Sequence, residues 1–197
     1  MFLLAFVLAS MNLAFGVDGC SNRAACTLAV QELKLRTTIA GSSPTAERVD
    51  GYYVRHSSLN VRIDQDDGTD LFDQDSTWAW RDGCGGPLNG KMGCDVSFEA
   101  TTTGYSNWWL RHQFFDVKIQ EYVDDAWFQE DASFTLVPAL NGDSACHSFE
   151  ATIDDGAGGR QPGWYLRHSD LNVIISQYDA DDEMFLHDAT FCIEFQQ

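Results

Sequence analysis

Three tetrapeptides, Tyr53-Val54-Arg55-His56, Trp109-Leu110-Arg111-His112 and Tyr165-Leu166-Arg167-His168, recur with their histidines 56 residues apart each time. A second block follows each: Leu71 to Trp78 (LFDQDSTW), Trp127 to Phe134 (WFQEDASF) and Met184 to Phe191 (MFLHDATF). Within each copy an aspartate, Asp75, Asp131 or Asp188, stands 19, 19 or 20 residues beyond the histidine. A fixed period of this kind means one supersecondary unit that cannot bury its apolar face alone, so that the copies close on one another to make a core. Function is therefore sought in what the copies share.

Within the units the pattern is that of strands. Ser97-Phe98-Glu99-Ala100-Thr101 and Ser148-Phe149-Glu150-Ala151-Thr152 alternate apolar with polar, and Asp116-Val117-Lys118-Ile119 and Asn172-Val173-Ile174-Ile175 do so more loosely. Clusters such as Asp66-Asp67-Gly68, Asp154-Asp155-Gly156 and Gly158-Gly159 separate them as turns. No sustained helical period exists outside the N-terminus. Each unit supplies four strands: at Ser-Phe-Glu, at Tyr/Trp-Leu-Arg-His, at Asn/Asp-Val-x-Ile, and at Asp-Ala-Thr-Phe. Three units give about twelve strands, predicting an all-β chain closed as a β-trefoil with pseudo-threefold symmetry.

Residues 1–16 form an uncharged apolar run ending in Ala14-Phe15-Gly16, the small-x-small form of a signal-peptidase site, although a basic n-region is missing. The run is too short for a permanent membrane anchor, so no membrane association is expected and the chain reads as secreted. Residues 17–32 form an N-terminal segment. The trefoil covers 33–197, with units at about 33–83, 94–140 and 146–197. About 180 residues bury roughly 70% of their unfolded surface, enough for one self-sufficient domain and a monomer.

All six cysteines lie beyond the cleavage point, and an even number in an exported chain argues for disulfides among fifteen possible connectivities. The repeats favour Cys146–Cys192, pinning the ends of the third unit, with Cys84–Cys94 bracketing a Gly-rich loop and Cys20–Cys26 local to the N-terminus. None has Cys-x-x-Cys spacing, so no zinc site is expected. The acidic loop from Asp64 to Asp70 fails the EF-hand template, because with Gly68 at its sixth position Ile63 would stand first. No metal and no cofactor is implied. The net charge of −18, from 30 acidic and 12 basic residues, lacks the basic field that nucleic acid or anionic lipid requires.

Tyr-Leu-Arg-His followed about twenty residues later by Phe-x-x-Asp-Ala-Thr-Phe resembles the alpha-L-arabinofuranosidase B domain, carbohydrate-binding module family 42. The resemblance covers about 160 residues, from Leu33 to Phe195, and fits the third unit best. The first unit departs most: it lacks Ser-Phe-Glu near Lys34, and Asp-Ser-Thr-Trp replaces Asp-Ala-Thr-Phe. The resemblance implies a β-trefoil that binds L-arabinofuranose branches of hemicellulose such as arabinoxylan or arabinan, with one pocket per unit. It assigns the pockets His56 with Asp75, His112 with Asp131, and His168 with Asp188.

Physical chemistry accords with that assignment. A neutral sugar presents vicinal hydroxyls and a weakly apolar ring face, so its pocket calls for a carboxylate acceptor, an imidazole and an aromatic wall. Tyr52, Trp108 and Trp164, each beside a repeated tetrapeptide, are candidates for that wall. Repetition can also reflect a repeated core, which accounts for Phe72, Phe128, Phe185, Leu59, Leu110, Leu166 and Leu171. The arginines Arg55, Arg111 and Arg167 read as structural partners of carboxylates.

Glycoside hydrolysis needs two carboxylates flanking one bond. The repeats use up the mature chain, which favours a non-catalytic binding module over a glycosidase or arabinofuranosidase-associated protein. A trefoil lectin of other specificity, or a protein-binding or inhibitory module built on the unequal loop Gly83 to Gly93, are the other readings.

Overall fold

The computed structural model of the chain describes residues 31–38, 51–82, 95–153 and 161–196. The proposed signal peptide and the pairs Cys20–Cys26 and Cys84–Cys94 lie outside them. Among the described residues the chain is all-β, apart from three helices of one to two turns. The first unit contains β1 (Gln31–Thr37), β2 (Tyr53–Ser57), β3 (Asn60–Asp64), α1 (Asp70–Ser76) and β4 (Trp78–Asp82). The second contains β5 (Asp95–Ala100), β6 (Trp108–Gln113), β7 (Asp116–Glu121), α2 (Ala126–Asp131) and β8 (Phe134–Pro138). The third contains β9 (His147–Ala151), β10 (Trp164–Ser169), β11 (Asn172–Gln177), α3 (Glu183–Asp188) and β12 (Phe191–Phe195).

Six strands pair in a closed ring, β1 to β4, β4 to β5, β5 to β8, β8 to β9, β9 to β12 and β12 back to β1, all antiparallel. The remaining six are three hairpins, β2–β3, β6–β7 and β10–β11, in matching register: His56 opposite Val61, His112 opposite Val117, His168 opposite Val173. Closing the ring leaves none of its strands with a free edge. Its interior takes Leu33, Leu35, Trp78, Phe98, Phe134, Phe149 and Phe191, all fully buried. Cys146 and Cys192 form a disulfide across the third unit.

The hairpin turns explain how the three copies hold together. Ser58-Leu59, Phe114-Phe115 and Asp170-Leu171 all have positive φ, as a two-residue turn matched to strand twist requires. The second residue of each turn offers its carbonyl to the next hairpin: Leu59 accepts from Ile119 at 2.8 Å, Phe115 from Ile175 at 2.9 Å, and Leu171 from Ile63 at 2.9 Å. This reciprocal locking stabilises left-handed backbone that bulky side chains otherwise disfavour. It also places Leu59 at an exposed tip, 38% accessible, which corrects its expected place in the core.

The helices correct the expected fourth strand. Asp75, Asp131 and Asp188 do not begin strands; each lies in the last turn of its helix, and the strand starts at Trp78, Phe134 or Phe191. A helix of six or seven residues is too short to display the period from which helices are recognised. Its local signal is the cap: the side chains of Thr69, Asp125 and Asp182 accept from the backbone N–H of Phe72, Phe128 and Met184, satisfying donors that the first turn leaves unpaired. Asp66 and Asp67 accept from Gly68 and Thr69 in the turn before α1, so the acidic loop serves that turn.

Candidate functional site

Alternation along each hairpin's first strand turns the arginine and histidine of the tetrapeptide to opposite faces. The arginine lies beneath the helix, where Arg55, Arg111 and Arg167 stand 5.2, 5.1 and 5.1 Å from the ring centroids of Phe72, Phe128 and Phe185. Those buried phenylalanines seat the helix, and its last turn then brings the aspartate to both neighbours. Asp75 accepts from Arg55 at 2.8 Å and sits 3.5 Å from His56. Asp131 pairs with Arg111 and lies 3.6 Å from His112. Asp188 lies 3.5 Å from His168. The six residues chosen from the sequence therefore meet as three pairs, from separate segments.

The three sites are unequal. At the first, the Thr102 hydroxyl joins the pair: it lies 2.7 Å from His56 Nε2 and donates to Asp75 at 3.1 Å. The ring of Tyr105 stands 5.1 Å from His56, and His56 Nε2 and both Asp75 oxygens have partners in the protein. At the second site the third unit brings no such hydroxyl, because Ile153 follows Thr152 where Thr102 follows Thr101. His112 Nε2 and His168 Nε2 are buried without a hydrogen-bond partner among the described residues, as is Arg167 Nε. Such atoms are uncommon and call for an explanation, of which a missing ligand is one. Openness differs too: the Asp131 side chain is 21% exposed, against 8% for Asp75 and 10% for Asp188.

Burial sets the protonation. Loss of solvent, aided by the neighbouring arginine, pushes His112 and His168 each down to about 4. It also lowers His56, against the pull of Asp75. The same burial raises Asp131, and raises Asp188 to about 6 in spite of Arg167. The imidazoles of His112 and His168 are therefore neutral from pH 5 to 8. Folded His112 and His168 resist protons that the unfolded chain binds near pH 6.5, so the stability they lend is lost as pH falls from there towards 4. Asp188 has the opposite sign, holding a proton in the folded state up to about 6, and so favours folding as pH falls through the same window. Asp188→Asn should therefore steepen the loss of stability between pH 6.5 and 4. Thermal denaturation across that range checks this, and an unchanged or shallower slope would contradict it.

Tyr52, Trp108 and Trp164 are half-buried against the core, Trp108 edge-on to Tyr105 and Trp164 stacked on Phe115 at 4.9 Å. Rings that sequence reading did not single out border the arginines. Tyr122 packs between Trp109 and Phe128, and Tyr178 between Tyr165 and Phe185. Both tyrosines stand ten residues after the histidine, a recurrence legible in the sequence; the first unit has Asp66 there. Arg55 and Arg111 hold the carboxylates, as their structural reading anticipates, and this makes them part of each constellation. Asp143 lies within 4.8 Å of the sulfurs of Cys146 and Cys192, but the sulfurs are bonded to each other and offer no thiolate. Among the described residues no helix is long and apolar enough to cross a membrane.

The model of the alpha-L-arabinofuranosidase B domain matches residues 37–135 and again 98–195, together most of the chain. The chain belongs to that family. An alpha-L-arabinofuranosidase B of Aspergillus niger is 35% identical over 99 residues, covering 49% of this chain and 18% of the enzyme. That of Emericella nidulans is 29% identical over 106 residues, 51% of this chain and 19% of the enzyme. The chain thus spans less than a fifth of the length of these relatives. Among solved structures, a GH54 α-L-arabinofuranosidase soaked with a cyclic sulfate inhibitor aligns with a TM-score of 0.65 at 23% identity, over 90% of this chain and 32% of that one. A BEL β-trefoil aligns with a TM-score of 0.54 at 12% identity, over 84% of this chain and 93% of that one. These likenesses concern fold. The two spans matched by the alpha-L-arabinofuranosidase B domain contain both repeated motifs of all three units.

Proposed function

We propose that this alpha-L-arabinofuranosidase B domain is a non-catalytic, secreted and monomeric β-trefoil that holds the L-arabinofuranose branches of a hemicellulose such as arabinoxylan. The trefoil assignment is supported by the closed six-strand ring with its three interlocked hairpins, and by the likeness to the BEL β-trefoil. The observation that carries the binding reading is the inequality of the sites. The second and third units hold an aspartate beside a neutral imidazole whose Nε2 makes no hydrogen bond among the described residues, whereas Thr102 completes the first. A furanose hydroxyl can donate to the carboxylate while another accepts from or donates to the imidazole. Arginine fixes the carboxylate at the second site, so less ordering is required on binding. Two sites, at the second and third units, follow from this.

The non-catalytic reading is supported by the match to less than a fifth of each relative and by the absorption of the repeated carboxylates into equivalent sites instead of one opposed pair. Secretion rests on residues 1–16 and on the disulfide Cys146–Cys192.

Affinity electrophoresis tests the reading: migration should be retarded by arabinoxylan and restored when the arabinose branches are removed from it. Equal retardation by the debranched polymer would contradict it. A pH profile tests the carboxylate. Affinity at the third site should fall as pH drops through about 6, where Asp188 takes up its proton, with no histidine step near 6.5. A profile flat from pH 8 to 5 would remove Asp188 from the sugar.

A further inference from the structure

We infer that Trp127 forms a second subsite beside the pocket of the second unit, where the flat face of a main-chain pyranose stacks while its arabinose branch enters between His112 and Asp131. The inference rests on the arabinose reading above and extends it to the polymer that bears the branch.

Position is the first ground. Trp127 and Asp131 are four residues apart in α2, so they lie on one ridge of the helix with their Cβ atoms about 6 Å apart. The neighbouring Phe128 is 1% exposed and points inward, leaving Trp127 outward and 71% exposed. The same relation recurs in the other helices: Leu71 precedes Asp75 by four residues and is 61% exposed, and Met184 precedes Asp188 by four and is 43% exposed. A scattered surface apolar residue needs no explanation. Three large ones at the same offset from three candidate pockets mark a rim.

Chemistry chooses the occupant. A branch held at Asp131 puts the sugar that carries it at the rim. A pyranose presents C–H groups on its face, and these are attracted to the electron-rich face of an indole. The protein's net charge of −18 disfavours a polyanionic main chain and leaves a neutral one, such as xylan. Leucine and methionine at the equivalent rims offer area without a planar ring. The second unit, whose carboxylate is also the most open of the three, is therefore the one that reads main chain as well as branch.

Two ligands separate the subsites: methyl α-L-arabinofuranoside and a xylo-oligosaccharide bearing one arabinofuranose branch, titrated calorimetrically into protein carrying Asp188→Asn so that the second site dominates. Trp127→Ala should leave the affinity for the methyl glycoside unchanged and weaken the branched oligosaccharide about tenfold, the factor corresponding to 1.4 kcal/mol. Trp127→Tyr, which keeps a ring, should recover most of the loss. In the parent the indole N–H resonance of Trp127 should shift with the oligosaccharide and not with the methyl glycoside. Equal affinities of Trp127→Ala and its parent for the oligosaccharide would overturn the subsite, as would a parallel loss for both ligands. Failure of the parent to bind either ligand would instead overturn the arabinose reading, and the subsite with it.

Discussion

Replacing Asp131 and Asp188 together by asparagine is expected to abolish retention on arabinoxylan. Each carboxylate is the charged acceptor of its site, and a hydrogen bond to a charged group contributes about 1.5–3 kcal/mol. Asparagine keeps the shape and one acceptor oxygen but turns the other into a donor, so each site should weaken by about 10- to 100-fold. Where branch spacing lets both sites engage one polymer, losing both also removes simultaneous occupancy, and the combined effect exceeds either single loss. The singles should differ in stability. Asp131→Asn leaves Arg111 buried without its ion pair, which lowers the melting temperature. Asp188 makes no hydrogen bond to Arg167 among the described residues, and its charge is disfavoured by burial up to about pH 6. At pH 8, Asp188→Asn should therefore keep or raise the melting temperature while removing a site. Retention measured beside thermal denaturation checks both statements; undiminished retention of the double variant would contradict the assignment.

Asp75→Ala should do the reverse. Asp75 is tied to Arg55, Thr102 and His56, and its removal leaves a guanidinium, 14% exposed, whose remaining carboxylate neighbour, Asp64, is 3.9 Å away. Breaking a buried pair from one side costs about 3–5 kcal/mol, which for a domain of this size lowers the melting temperature by roughly 6–20 °C. Methyl arabinofuranoside should still bind at two sites with unchanged affinity, because the first site is closed by protein groups. A melting temperature within about 2 °C of the parent, or the loss of one bound sugar, would contradict this division between a structural site and two binding ones.

Much of this is written in the chain, because a tripled motif reports equivalence directly. The spacing of His56, His112 and His168 places each histidine opposite a valine of its own hairpin, and strand alternation follows from the apolar pattern. The helices are hidden because six residues complete too few turns to show a period, although Thr69, Asp125 and Asp182 mark where they begin. Leu59 misleads because a repeated apolar residue reads as core, whereas it sits at a turn whose carbonyl, not its side chain, makes the repeated contact with the next hairpin. The inequality of the sites is least legible. It depends on Thr102, which belongs to the second unit in sequence yet completes the first unit's site in space, across a β4 to β5 pairing that only the closed ring creates. Arg55, Arg111 and Arg167 stand in plain view inside the repeated tetrapeptide, but their role emerges only once the helix has brought the aspartate over them.

Titration of the isotopically labelled protein with methyl α-L-arabinofuranoside, followed by amide and imidazole NMR shifts, tests the central claim most directly. The account predicts two independent sites, with shifts centred on His112 and Asp131 and on His168 and Asp188, and none at His56, Asp75 or Thr102. Shifts at the first site, or no shifts at any of the three under saturating sugar, would contradict it.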